Sequence, residues 1–192
     1  MSGESLFGEP GSPIPPRMMT RLVLLVSAAL LALPVTANAQ KKPAHPTEKT
    51  AAPKAIGRFD DWTAATHQEQ GTTVCYAFTR AQTSSPALPG RGPVILTVTE
   101  RPSVRDTVAI EAGFVYPANA SVTVQVEQTG LDFYTDKRNA FARDGKAAVT
   151  AFGKGSRAIA RSPGPKEATV TDTFSLKGFG PAYAAITKAC TK

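Results

Sequence analysis

Thr73-Val74-Cys75-Tyr76-Ala77-Phe78-Thr79 is the stretch whose reading decides the fold. Its β-branched and aromatic residues favour a pleated, half-buried backbone. Side chains alternate across a strand, so large Val74, Tyr76 and Phe78 share one face, while small Cys75 and Ala77 share the other. A face of small residues lets a second element approach closely.

On the C-terminal side, Ala81–Gly92 is rich in Ser, Pro and Gly and reads as an exposed loop. Val94–Glu100 and Thr107–Ala112 read as strands divided by a turn around Pro102 and Ser103. Ser121–Glu127 alternates Val122, Val124 and Val126, Gln128-Thr129-Gly130 turns, and Leu131–Thr135 returns as a hairpin. Asp144 is placed to cap a short helix running to about Phe152, ended by Gly153 and Gly155. Arg157–Arg161 and Ala168–Leu176 read as two further strands joined by Ser162-Pro163-Gly164-Pro165. Phe179, Ala182, Tyr183, Ile186 and Cys190 then fall at helical spacing, giving a terminal helix one core-facing stripe. The expected fold is α+β and mainly β: an antiparallel β-sandwich or curled sheet with the C-terminal helix packed on it.

On the N-terminal side, Met18–Ala39 reads as a secretory signal. Arg21 supplies the positive start, Leu22–Leu33 is an apolar run of 12 residues, and Pro34 breaks it. A spanning helix needs roughly 20 apolar residues. Ala37-Asn38-Ala39 offers a small-x-small cleavage site, with Ala39 and Gln40 flanking the cut. Met18 or Met19 is the natural start, which makes residues 1–17 an upstream extension. The expected organisation is a signal over 1–39, a basic Pro- and Lys-rich disordered linker over 40–58, and one domain over 59–192.

The chain carries 22 Lys and Arg against 15 Asp and Glu. Lys41, Lys42, Lys49, Lys54 and Arg58 face only Glu48 within Gln40–Arg58, so much of the excess lies in the linker. That segment has no apolar period and cannot bury enough surface to fold. It reads as a tether, or as a weak electrostatic contact for anionic envelope polymer or lipid. The remainder lacks the basic patch with interleaved aromatics that nucleic-acid binding needs, so no nucleic-acid partner is expected.

Export decides how the two cysteines are read. Cys75 lies on the small-residue face of a strand and Cys190 on the apolar stripe of the last helix. In an oxidising compartment such a pair points to one disulfide, with a helix over Ala77 bringing the backbones into range. A metal site would need more ligands than two distant cysteines and His67 supply, and a catalytic cysteine needs a histidine partner.

The search for chemistry is thin. His67 reads as a surface residue. Asp60 and Asp61, if extended, point to opposite faces and cannot work as a pair. Gly153-Lys154-Gly155-Ser156 lacks the ending of a phosphate loop and follows a helix instead of opening one. Asn119-Ala120-Ser121 fits the glycosylation acceptor pattern, which matters only in a eukaryotic secretory pathway. Trp62, the single tryptophan, reads as a core aromatic near the sheet edge, with ligand stacking as the alternative. No catalytic residue, metal ligand or cofactor is expected.

Phe59-Asp60-Asp61-Trp62, then Val74-Cys75-Tyr76-Ala77, then Thr171-Asp172-Thr173-Phe174-Ser175-Leu176-Lys177-Gly178-Phe179 and a helix closing on Cys190, resembles the invasion-associated locus B family of bacterial exported proteins. The resemblance spans roughly Phe59 to Cys190, and the closing block is its specific part. Trp62, Asp172, Phe174, Leu176, Lys177, Gly178 and Phe179 are the positions it marks. It implies a periplasmic or envelope protein without a known reaction, in a family some of whose members are linked to invasion of host cells. Phe141 stands where a tryptophan is common in the family, and members with four cysteines exist where this chain has two. Within the closing block, Thr171–Leu176 alternates as a strand, Lys177-Gly178 turns, and Gly178 allows a tight strand-to-helix corner.

Three functions fit this reading. The first is a non-catalytic envelope interaction module, its partner an unknown envelope or host protein. The second is a periplasmic enzyme assembled from distant residues, which a deep pocket holding His67 and a carboxylate would favour. The third is a wall-associated structural or stress protein, suggested by the basic linker.

Overall fold

The computed structural model describes residues 52–191. The export signal, the Ala39–Gln40 cut and the basic segment up to residue 51 lie outside the described residues. No helix among the described residues is long and apolar enough to cross a membrane.

Eleven strands form a single sheet in which every pairing is antiparallel. They are β1 (Lys54–Phe59), β2 (Trp62–Glu69), β3 (Thr72–Arg80), β4 (Thr83–Ser85), β5 (Ile95–Glu100), β6 (Thr107–Glu111), β7 (Ser121–Val126), β8 (Thr129–Asp136), β9 (Asn139–Ala142), β10 (Arg157–Pro163) and β11 (Thr169–Ser175). The helices are α1 (Gly145–Phe152) and α2 (Phe179–Ala189). The strand order is β1-β2-β3-β5-β6-β9-β8-β7-β10-β11-β4.

That order curls the sheet. β4 starts three residues after β3 ends, yet it pairs with β11 at the far side of the series. The amide of Gln82, between them, already donates to the Thr173 carbonyl at 2.8 Å. One nearly continuous run of chain therefore links β3, third in the series, to β4 at its far end, and the sheet wraps about its inner face. Of the two expected arrangements, the curled sheet is the one adopted.

Strict alternation supplies that inner face. Leu96 and Val98 on β5, Val108 and Ile110 on β6, Val122 and Val124 on β7, and Phe133 on β8 are buried, while their sequence neighbours are not. α1 begins as expected, with the Asp144 side chain accepting from the Ala147 amide at 2.9 Å. α2 packs on β1, β2, β3 and β5. Phe179, Ala182 and Ile186 are buried along its stripe, and Tyr183 is half-buried.

Three expectations shift. The linker read over 40–58 extends too far, because Lys54–Phe59 is a strand paired with β2. Hydrogen bonds to β2 and packing by α2 order a segment whose own sequence carries no apolar period. The segment Ala81–Gly92 is likewise more than an exposed loop: it contains β4, and it buries the Arg91 side chain to 7% exposure. Asp60 and Asp61 are not in an extended strand. They form the β1–β2 turn, with Asp60 at φ 47°.

Candidate functional site

Trp62, Lys177, Gly178 and Phe179, four of the residues marked by the resemblance, come together at one corner. The β1–β2 turn lies against the junction between β11 and α2. The Trp62 indole N–H donates to the Ser175 carbonyl at 3.0 Å, and its ring meets Phe179 edge-on at 5.0 Å between centroids. Phe152 of α1 packs edge-on against Phe179 from another side at 5.5 Å. The Asp61 amide donates to the Lys177 carbonyl, and Lys177 Nζ lies 3.2 Å from the Asp60 carboxylate. Trp62, Phe174, Leu176 and Phe179 are buried, whereas Lys177 is exposed. Trp62 thus occupies the core and is closed to stacking on a ligand.

Gly178 makes the corner possible. It sits at φ 88°, and a Cβ there would lie 2.0 Å from the Phe59 carbonyl oxygen. A side chain would suffer both the left-handed backbone and a collision with the β1–β2 turn.

Asp172, the polar member of the block, anchors a second constellation. Arg91 holds its carboxylate with two guanidinium bonds of 2.8 and 2.7 Å, and Ser84 Oγ donates to it at 2.7 Å. Arg91 Nε donates to the Ala112 carbonyl at 2.7 Å, and the guanidinium lies over the Phe114 ring. Burial pushes the nearby Tyr116 hydroxyl up to about 12, reinforced by the Asp172 charge. This fork ties the 81–94 segment, the loop after β6 and β11 into one unit. No local pattern marks Arg91, because its partner is 81 residues away.

The cysteines form the disulfide Cys75–Cys190, with Cα atoms 5.9 Å apart. Cys75 is opposite Glu100 in register, and Glu100 is fully buried. Burial raises the Glu100 pKa above the ordinary carboxylate range, although the Asp106 amide donates to Oε1 at 3.2 Å and Arg105 pairs with Oε2. Arg105 also donates to the Cys190 carbonyl, and the Tyr183 hydroxyl donates to Asp106 Oδ1 at 2.5 Å. Burial, then Asp106, pushes the Tyr183 hydroxyl up to about 12. This polar cluster and the covalent bond hold the end of α2 to β3 and β5.

His67 stands apart from these groups. Its Nε2 meets Glu69 Oε1 at 2.9 Å, and the ring packs edge-on against Tyr76. Arg101 binds the same Glu69 carboxylate through two bonds of 3.0 Å, and that pairing, with His67, holds the Glu69 pKa low. No group of three or more His, Cys, Asp or Glu suited to a metal occurs among the described residues.

One surface hollow adjoins the motif corner. It has a volume of about 280 Å³ and is lined by Arg58, Asp61, Thr63, Phe78, Thr79, Arg80, Ala81 and Gln82. Another lies along α1, beside Asp144, Lys146 and Lys154. His67 lines neither.

A family model described as the invasion associated locus B (IalB) protein matches residues 62–187. The crystal structure of invasion associated protein b from Bartonella henselae is similar in fold, with a TM-score of 0.51 and 14% sequence identity. The match covers 69% of this chain and 95% of that one. No curated protein matches the chain.

Proposed function

The chain belongs to the invasion associated locus B family, and from that premise we propose an exported envelope protein that acts as a non-catalytic binding module. One observation carries this reading: the two buried carboxylates and the two cysteines are each held by groups of the fold itself. Asp172 is closed by Arg91 and Ser84, Glu100 by Arg105 and the Asp106 amide, and the cysteines by each other. Groups engaged in this way stabilise a scaffold, and the scaffold leaves its outer sheet face and surface hollows for contact. Export is supported by the signal read at Met18–Ala39 and by a disulfide, which persists in oxidising compartments.

The test is photocrosslinking in intact cells that produce the full chain. A photoreactive residue replaces Thr97 on the outer face of β5, and another replaces buried Val98 as the control. A discrete adduct from position 97 in the envelope fraction, absent from position 98, is expected. Absence of an adduct from position 97 and from three further outer-face positions would overturn the binding-module reading. Recovery of the protein in the cytoplasmic fraction, with both thiols free, would overturn export.

A further inference from the structure

We propose that the hollow beside the β1–β2 turn is a recognition site for an α-carboxylate carrying an adjacent N–H donor, as at the carboxyl terminus of a peptide or in a free amino acid. The inference rests on the binding-module reading and names the ligand chemistry for it.

Strand register builds the site. Arg58 is opposite Thr63, and Thr63 is opposite Phe78, so these three form one row across β1, β2 and β3. Arg80 lies two residues beyond Phe78 and shares its face. Gln82 follows where the chain leaves β3 for β4. Half-buried Phe78 lines the hollow together with Arg58, Arg80, Thr63 and Gln82, so one apolar ring and four polar residues border it.

Among the described residues the two arginines are not committed elsewhere. Among the described residues neither has a carboxylate within the 4.0 Å of an ion pair, and Arg58 reaches only the Asp60 carbonyl, at 3.4 Å. This differs from Arg91 and Arg101, whose forks are filled by Asp172 and Glu69. A planar guanidinium fork suits a carboxylate bound through two parallel bonds.

Asp61 narrows the ligand. Its backbone is fixed by Thr79 Oγ1, which donates to the Asp61 carbonyl at 2.8 Å, and the residue lines the same hollow. Two arginines and one aspartate leave a single positive charge to be met. A dianionic phosphate would meet Asp61 as a repulsive neighbour. A carboxylate with an N–H beside it gives its oxygens to the arginines and its hydrogen to Asp61. At about 280 Å³ the hollow is smaller than most clefts for drug-sized ligands, roughly 300–1,000 Å³. That size suits an end group over one that needs a long groove.

Titration of the exported full-length protein, followed by NMR amide shifts, tests the site with four probes: N-acetyl-Ala-Ala, its carboxyl-terminal amide, free alanine and inorganic phosphate. Millimolar binding of N-acetyl-Ala-Ala is expected to shift the amides of residues 58–63 and 78–82, with the amide form at least about tenfold weaker. Arg80→Gln and Arg58→Gln are each expected to weaken binding about tenfold. Asp61→Asn is expected to weaken the peptide and strengthen phosphate. Tighter binding of alanine than of the peptide would assign the site to free amino acids, and the reverse order to chain ends. Equal binding of acid and amide forms, tighter phosphate binding, or no shift at 20-fold excess over millimolar protein would each overturn the inference. Unchanged melting temperatures of the arginine variants separate lost binding from lost folding. Should this titration fail while crosslinking from position 97 succeeds, the site falls and the binding module stands.

Discussion

The indole of Trp62 donates to the carbonyl of Ser175, 113 residues further along the chain, at 3.0 Å. This bond joins the start of β2, just after the first turn of the domain, to its last strand. Around it, Phe179 starts α2 and Gly178 passes directly beneath the Phe59 carbonyl. Trp62, Lys177, Gly178 and Phe179, from the two ends of the resemblance, therefore meet in space as a fold-closing corner.

Gly178→Ala tests the corner. The substitution forces a side chain into a left-handed backbone and against the Phe59 carbonyl. It is expected to cost about 2–4 kcal/mol. Urea unfolding followed by circular dichroism measures it, and a loss below about 0.5 kcal/mol would refute the steric account.

The Arg91–Asp172 fork should behave as a buried ion pair. Removing one partner by Asp172→Ala strands the other charge and is expected to cost about 3–5 kcal/mol. Replacing both, by Asp172→Leu with Arg91→Met, should cost much less than the sum of the single changes. A double-mutant cycle with additive losses would show that the pair is not coupled.

Loss of the disulfide should loosen the C-terminus first. Cys75 and Cys190 are 115 residues apart, and chain-entropy reasoning gives about 4–5 kcal/mol for a loop of that size. Replacing both cysteines by alanine should lower the melting temperature and speed amide exchange in α2 before the rest of the domain. Non-reducing mass spectrometry of the exported protein should find a linked Cys75–Cys190 peptide, and free thiols at both positions would overturn the bond.

Glu100 gives a pH dependence of definite sign. Its folded pKa lies above the unfolded one because burial disfavours the charge. Its contribution to stability is therefore complete in acid, below the ordinary carboxylate range, and is lost as pH rises through the raised folded value. Glu100→Gln removes this titration. The stability of the natural chain relative to the variant should fall from about pH 4 upward. Urea midpoints at successive pH values measure it, and a relative stability that rises with pH would reverse the assignment.

Local pattern was legible where one side of an element faces the core. The alternation of Val122, Val124 and Val126 marked β7, Asp144 marked the start of α1, and the stripe from Phe179 to Ile186 marked α2. β1 and β4 were not legible. Lys54–Phe59 and Thr83–Ser85 have little apolar pattern and exist because an adjacent strand offers hydrogen bonds. The Arg91 fork and the Glu100–Arg105–Asp106–Tyr183 cluster were hidden for a related reason. Buried charges need partners, but nothing local in the sequence says which distant residue supplies them.

The sequence by itself determined a mainly β domain with a terminal helix, a cysteine pair positioned to bond, and family membership through the closing block. These follow from side-chain period, residue size and order along the chain. Only the tertiary structure decided that the sheet curls, because that depends on β4 leaving β3 to pair with β11. It also decided which charges are buried as pairs, and that Arg58 and Arg80 have no carboxylate partner among the described residues and line one hollow with Asp61. Both outcomes depend on proximity between residues far apart in sequence, and such proximity is set by packing.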